Sequence, residues 1–163
     1  MWKKIHGFVQ GLQCVGSFGQ NRSQKPCGSV MPGYLVFAGK SVGLELTQFL
    51  ISKKEPLSLV MVESDREKPL LELLKQNNVP SSIYSKDAIQ QLLKQAPKYE
   101  WLLNLWSSHI LERSVLSLAK KHLNVHPGLV PEARGSYTAS WIIRNQLAAG
   151  VSLLEMVDHI DAG

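Results

Sequence analysis

Short apolar runs alternate with helix-patterned stretches from residue 34 to residue 157, and this alternation constrains the fold more than any other feature of the chain. Residues 34–38 (Tyr-Leu-Val-Phe-Ala) and 57–62 (Leu-Ser-Leu-Val-Met-Val) have the composition of strands buried on both faces. Residues 82–84, 101–106, 123–125 and 151–157 read as further strands. Between them, residues 44–51, 69–77, 88–95, 111–121 and 138–149 space their apolar residues as helices do. Asp87 is placed to start the third of these helices, and Asn77-Asn78 to end the second. Strands joined by helices form a mostly parallel sheet covered on both faces, so the expected fold class is α/β, three-layer and Rossmann-like. In such sheets ligands sit beyond the carboxyl ends of the strands, where the strand order reverses. Three segments that follow strands are therefore expected to share one cleft: the loop at Gly39, Trp106-Ser107-Ser108-His109, and Asn124-Val125-His126.

With 163 residues the chain is long enough for one domain with a real core. Residues 1–33 stand apart, being rich in Gly, Ser, Gln and Asn without periodicity, and are expected to be a disordered extension. They hold Lys3, Lys4, Arg22 and Lys25 and no acid, so most of the formal charge of +5 lies there and residues 34–163 are close to neutral. That distribution does not make nucleic acid an expected partner. No apolar run reaches the length of a membrane span, and Lys3-Lys4 is followed by no sustained apolar stretch of the kind a secretory signal needs. An acid-free basic N-terminus also fits a transit peptide. Both cysteines, Cys14 and Cys27, fall in the extension, which rules out a disulfide framework for the domain and makes a reducing cytoplasm the natural setting.

The chemistry concentrates in Asn124-Val125-His126-Pro127-Gly128-Leu129-Val130-Pro131. Residues two apart on a strand point to one side, so Asn124 and His126 can face one pocket before Pro127 and Gly128 turn the chain. Ile160-Asp161-Ala162-Gly163 supplies a carboxylate on a second turn. An amide, an imidazole and a carboxylate suffice to stabilise an oxyanion and move a proton. A hydrogen-bonded pair at a strand end is the ordinary alternative. Gly39-Lys40-Ser41-Val42-Gly43 has the look of an anion-binding turn at a helix start, but it is neither a Walker loop nor a full dinucleotide fingerprint.

Together with Arg134-Gly135, Gly150-Val151 and Asp158-His159-Ile160-Asp161-Ala162-Gly163, the motif resembles the folate-dependent formyltransferase family over residues 34–163. Gly128 departs from the Ser of many members and is similar to the amino-sugar branch. The resemblance implies a catalytic trio of Asn124, His126 and Asp161. It implies 10-formyltetrahydrofolate as co-substrate, held by Leu105, Trp106, Ser108, Ile110, Leu111 and Asp158, and no metal. Gly39, Ser41, Arg134, Gly135 and Tyr137 are the expected contacts to the amine substrate. Formyl transfer to the amino sugar of a nucleotide sugar is the leading expectation. Methionyl-tRNA, glycinamide ribotide, hydrolysis of formyl-folate and an inactive folate-binding remnant are the alternatives. The resemblance further implies a catalytic domain incomplete at its C-terminal end, and a possible homodimer at full family length.

Overall fold

The computed structural model describes residues 30–157. Six strands form one sheet: β1 (Val30–Ala38), β2 (Leu57–Val62), β3 (Ser81–Ile83), β4 (Lys98–Leu105), β5 (Ala119–His126) and β6 (Ser152–Glu155). Five helices connect them: α1 (Lys40–Ser52), α2 (Lys68–Gln76), α3 (Lys86–Gln95), α4 (Arg113–Leu116) and α5 (Thr138–Asn145). The strand order is β3-β2-β1-β4-β5-β6, parallel throughout except for the antiparallel β5–β6 pair. The chain runs outward from β1 to β3, then returns to β4 on the other side of β1. The reversal of strand order therefore lies between β1 and β4, and the loops leaving these two strands diverge there.

Two apolar layers enclose the sheet. On one face Val36, Ala38, Val60, Val62, Trp101 and Leu105 pack beneath Leu44, Leu50 and Ile51 of α1 and Leu70 and Leu74 of α2. On the other face Leu35, Phe37, Met61, Tyr99 and Leu102 pack beneath Leu92 of α3 and Val115 and Leu116 of α4. The three-layer α/β architecture expected from the alternation is the one observed. Gly43 lets α1 cross close over the end of β4, since a Cβ there would stand 2.7 Å from the Leu105 carbonyl oxygen.

The helix expected over 111–121 is a single turn at Arg113–Leu116. Sheet pairing wins over helical periodicity here. The Leu118 carbonyl accepts the Tyr99 N–H at 2.7 Å, and Ala119 and Lys121 pair with Tyr99 and Trp101. As a result β5 starts four residues earlier than its apolar core suggests. The last helix stops at Asn145, with Gln146 in a left-handed conformation, instead of reaching residue 149. The first strand begins at Val30, inside the segment assigned to the extension by composition. Its ladder with β4 is interrupted between Met31 and Tyr34, around Pro32, which hides the strand from a reading by pattern. The expected disorder of residues 1–29 lies outside the described residues.

Tyr99 is buried on β4, and burial raises its phenol pKa above the ordinary value. A raised native pKa means that the folded chain holds its proton where the unfolded chain releases it. That stability is complete below the unfolded pKa and is lost as pH climbs from there through the native value. Denaturant titrations of the wild type and Tyr99→Phe are expected to diverge above about pH 10, with the wild type losing more. Parallel curves would show that the phenol titrates alike in both states.

Candidate active site

The carboxyl ends of β4 and β5 border an open space on the face that α3 and α4 cover. The space is a cleft of about 920 Å³ lined by the loop after β4, the end of β5, the start of α5 and the strand β6. Alternation along the strands places Asn104, Asn124 and His126 on this face, while Leu103, Leu105, Leu123 and Val125 turn to the opposite core. Asn104 and Asn124 are register partners across β4 and β5. The two groups expected to carry catalysis thus reach the same cleft, at the carboxyl end of a strand.

His126 is buried, and its Nε2 lies 2.7 Å from the carbonyl oxygen of Ala133. A carbonyl oxygen only accepts, so Nε2 carries the proton and donates it. Any further proton that the ring takes up or gives away is then held at Nδ1. The carbonyl partner comes from the loop between β5 and α5, which turns through the cis peptide Val130-Pro131 and through Gly135 at φ 87.

The loop after β4 is held by a buried Asn. Asn104 Oδ1 accepts the Ser107 N–H at 3.2 Å, and its Nδ2 donates to the Ser107 carbonyl at 3.4 Å. His109 stacks on Tyr84 at 3.6 Å between ring centroids, with planes 10° apart. Across the reversal of strand order, Lys40 Nζ donates to Ser108 Oγ at 2.7 Å and ties the loop after β1 to the loop after β4. Lys40, Trp106 and Tyr137 all line the cleft, and all adopt left-handed backbone, with φ of 58, 68 and 57. Such a conformation costs a non-glycine residue about 1 kcal/mol or more, and it persists where surrounding contacts impose it, often at ligand sites.

Trp106, Ser108, Ile110, Leu111, Asn124, His126, Gly135 and Tyr137 are brought to this cleft. Ile110 and Tyr137 are open to solvent at 74% and 84%, so their side chains stand at the rim with surface to offer a ligand. The other expected residues are placed differently. Leu105 is buried in the core beneath α1 and α2, and reaches the loop region only through its carbonyl, which accepts the Gly39 N–H at 3.4 Å. Gly39 is buried against Glu63, where an added Cβ would overlap the carboxylate. Ser41 is exposed on α1 outside the cleft lining, and Lys40 is the residue of that loop that enters it. Arg134 is exposed and also outside the lining. Asp158 and Asp161 lie outside the described residues. Lys40 and Asn104 were not among the expected site residues. Asn104 could have been found as the polar interruption of an otherwise apolar strand.

Among the described residues no group of three or more His, Cys, Asp or Glu side chains could hold a metal ion. Nor is any described helix long and apolar enough to cross a membrane.

No protein-family model matches this chain. Solved structures do share its fold. Glycinamide ribonucleotide transformylase 1 from Symbiobacterium toebii superposes with a TM-score of 0.65 at 16% identity, covering 90% of this chain and 74% of that one. Phosphoribosylglycinamide formyltransferase from Bacillus halodurans gives 0.64 at 20% identity, covering 80% of this chain and 74% of that one. A sugar N-formyltransferase from a Shewanella species gives 0.53 at 18% identity, with 80% of this chain and 54% of that one covered. The sheet order, the layers and the cleft at the strand reversal therefore define a Rossmann-like α/β domain. Within that class, the chain has the fold of the formyltransferases.

Proposed function

We propose that the chain transfers a formyl group from 10-formyltetrahydrofolate to a primary amine, with Asn124, His126 and Asp161 as the catalytic trio. The observation that carries this reading is the placement of Asn124 and His126 on one face of β5, opening into the cleft at the strand reversal. The cleft's volume of about 920 Å³ is within the range that holds a ligand of folate size. Its walls suit a flat heteroaromatic ring, with apolar Ile110, Leu111, Leu116 and Met156 beside the polar backbone after β4. When bound, the folate supplies an activated formyl carbon. The protein's own part is positional and electrostatic. Asn124 donates an amide N–H toward the formyl oxygen as negative charge develops there, a contribution of about 3–4 kcal/mol for one such donor. His126, fixed through Nε2, holds or moves the amine proton at Nδ1. Asp161 is assigned the support of the imidazolium, because a carboxylate beside an imidazole favours its charged form.

For the amine, the reading is a sugar amine carried on a nucleotide. Gly128 in the His-Pro-Gly motif supports it, as does the exposed Tyr137 ring at the rim, which can stack on a sugar or base. A second acceptor, glycinamide ribotide, is favoured by the higher structural similarity to the two ribonucleotide enzymes. A cytoplasmic setting goes with either. The deciding assay incubates the chain with 10-formyltetrahydrofolate and each amine in turn and detects the formamide by mass spectrometry. Formylation of the nucleotide-linked amino sugar is expected. Formylation of glycinamide ribotide alone would transfer the assignment to the second acceptor. Release of formate without any amine product would make the protein a hydrolase of the folate, and no reaction with either would leave the trio without the proposed role.

A further inference from the structure

The start of α5 borders the cleft, and one face of that helix runs on from the rim. Tyr137, Ser140, Trp141 and Arg144 have the i, i+3, i+4 and i+7 spacing that puts side chains on one face of a helix. All four are exposed, whereas Thr138 is buried and Ile142 half-buried on the opposite side. Tyr137 and Ser140 line the cleft, and Trp141 and Arg144 lie beyond its lining. The Tyr137 carbonyl accepts the Trp141 N–H at 3.2 Å, so the rim residue and the first turn of the helix are fixed to each other. Trp141 is 49% exposed, and the Arg144 guanidinium lies over its ring, 5.9 Å from the centroid. Arg144 pairs with no carboxylate among the described residues, so its charge is available to a ligand. A helix face built to pack on another helix would repeat aliphatic side chains at this spacing. This one presents two aromatic rings, a hydroxyl and a guanidinium. Exposed Trp, Tyr and Arg also anchor protein interfaces. What favours a small ligand is that the stripe begins at residues lining the cleft.

We propose that this stripe of α5 holds the nucleoside diphosphate part of the amine substrate, with the base stacked on Trp141 and Arg144 supplying positive charge for the diphosphate, while the sugar amine enters the cleft. Trp141 and Arg144 stand about 6 Å and about 10 Å along the helix axis from Tyr137. A ligand with its reacting end in the cleft therefore needs an extended body and an aromatic end to use them. Every base has a π face, so the platform accepts bases without selecting one strictly. The stripe also separates the two acceptors considered above. Glycinamide ribotide has a single phosphate and no base to stack. The identity of the amine rests on the proposed formyl transfer; the binding of a nucleoside diphosphate does not.

The test titrates the full chain, without folate, with uridine diphosphate, guanosine diphosphate, uridine and ribose 5-phosphate in a calorimeter. At least one diphosphate is expected to bind, and ribose 5-phosphate is expected not to displace it. Trp141→Leu should weaken that binding about tenfold or more, the scale of losing one base–aromatic stack, while Trp141→Phe keeps a π face and most of the affinity. Arg144→Gln should narrow the preference for uridine diphosphate over uridine. Failure of both diphosphates to bind overturns the proposal, as does equal affinity in wild type and folded Trp141→Leu. Ribose 5-phosphate binding as tightly as the diphosphates overturns it too. Should Trp141→Leu fail to fold, tryptophan fluorescence decides. Quenching by the diphosphate in the wild type that disappears in Trp141→Phe, with binding retained, supports the stack, and quenching that persists overturns it. Self-association of the wild type that Trp141→Leu abolishes, with no nucleotide bound, would make the stripe a contact between chains and overturn the proposal. Formylation of a nucleotide-linked amino sugar with the same KM in wild type and Trp141→Leu overturns this site and leaves the proposed function standing. Diphosphate binding at Trp141 without formyl transfer by the wild type counts against the proposed function alone.

Discussion

His126→Ala and Asn124→Ala are each expected to lower kcat by about a hundredfold or more while leaving the KM for the amine nearly unchanged. Both groups act on charge that appears only as the new bond forms, and an interaction strengthened in the transition state shows in kcat. The scale is that of losing one preorganised oxyanion donor. His126→Ala carries a complication that the structure makes explicit. It leaves the buried Ala133 carbonyl without the Nε2–H donor, and an unsatisfied buried acceptor costs about 1–3 kcal/mol of stability. Turnover must therefore be compared below the unfolding transition of the variant, with circular dichroism confirming the fold. Asp161→Asn, which removes the proposed carboxylate, should also lower kcat. The three substitutions should combine to less than the product of their separate effects, because residues acting on one transition state are not additive. Near-normal turnover by folded His126→Ala would remove the mechanism assigned to this site.

The parts of the fold legible in the sequence were those where burial and pattern agree. β1 and β2 are flanked on both sides by other strands and covered on both faces, so Leu35-Val36-Phe37-Ala38 and Leu59-Val60-Met61-Val62 are continuous apolar runs with one reading. β5 is different. It lies near the edge of the sheet, with Lys120 and Lys121 exposed and most of its other residues only half buried. Residues 111–121 consequently carry enough helical periodicity to mislead, and only the hydrogen bonds to β4 decide the case. The same limit applied to the site. Asn124 and His126 could be paired by the two-residue period of a strand, since that is a local property. Leu105 could not be distinguished from a cleft residue, because its face depends on the register of β4 against β1. Lys40 enters the cleft through a left-handed backbone that its residue type does not announce. The clamp between Asn104 and Ser107 depends on a turn geometry that composition does not encode.

The link between core and cleft leads to the second large effect, which is on stability. Phe37 lies on the central strand β1 and is fully buried, beside Met61 on β2 and Asn104 on β4 in register. Its ring meets Tyr84 edge-on, with centroids 6.3 Å apart and planes at 64°, and Tyr84 stacks on His109 at the cleft. Phe37→Ala should destabilise the chain by about 3–5 kcal/mol, from lost burial together with the cavity left behind. Domains of this size are stable by only about 5–15 kcal/mol, so much of the total would go. Phe37→Leu keeps most of the volume and should lose under about 1.5 kcal/mol. Urea titration measures both, with the midpoint falling and the slope unchanged if the denatured state is unaffected. The cavity would also remove the edge contact that steadies Tyr84, so the loop at His109 should loosen. The His109 amide, which donates to Ser107 Oγ at 3.4 Å, offers a direct reading of this. Its hydrogen exchange should quicken more in Phe37→Ala than that of the β2 amides, beyond the common effect of lower global stability. Equal acceleration at both places would show that the aromatic series from Phe37 to His109 transmits nothing to the cleft. A loss of less than about 1 kcal/mol would show that the core closes over the gap.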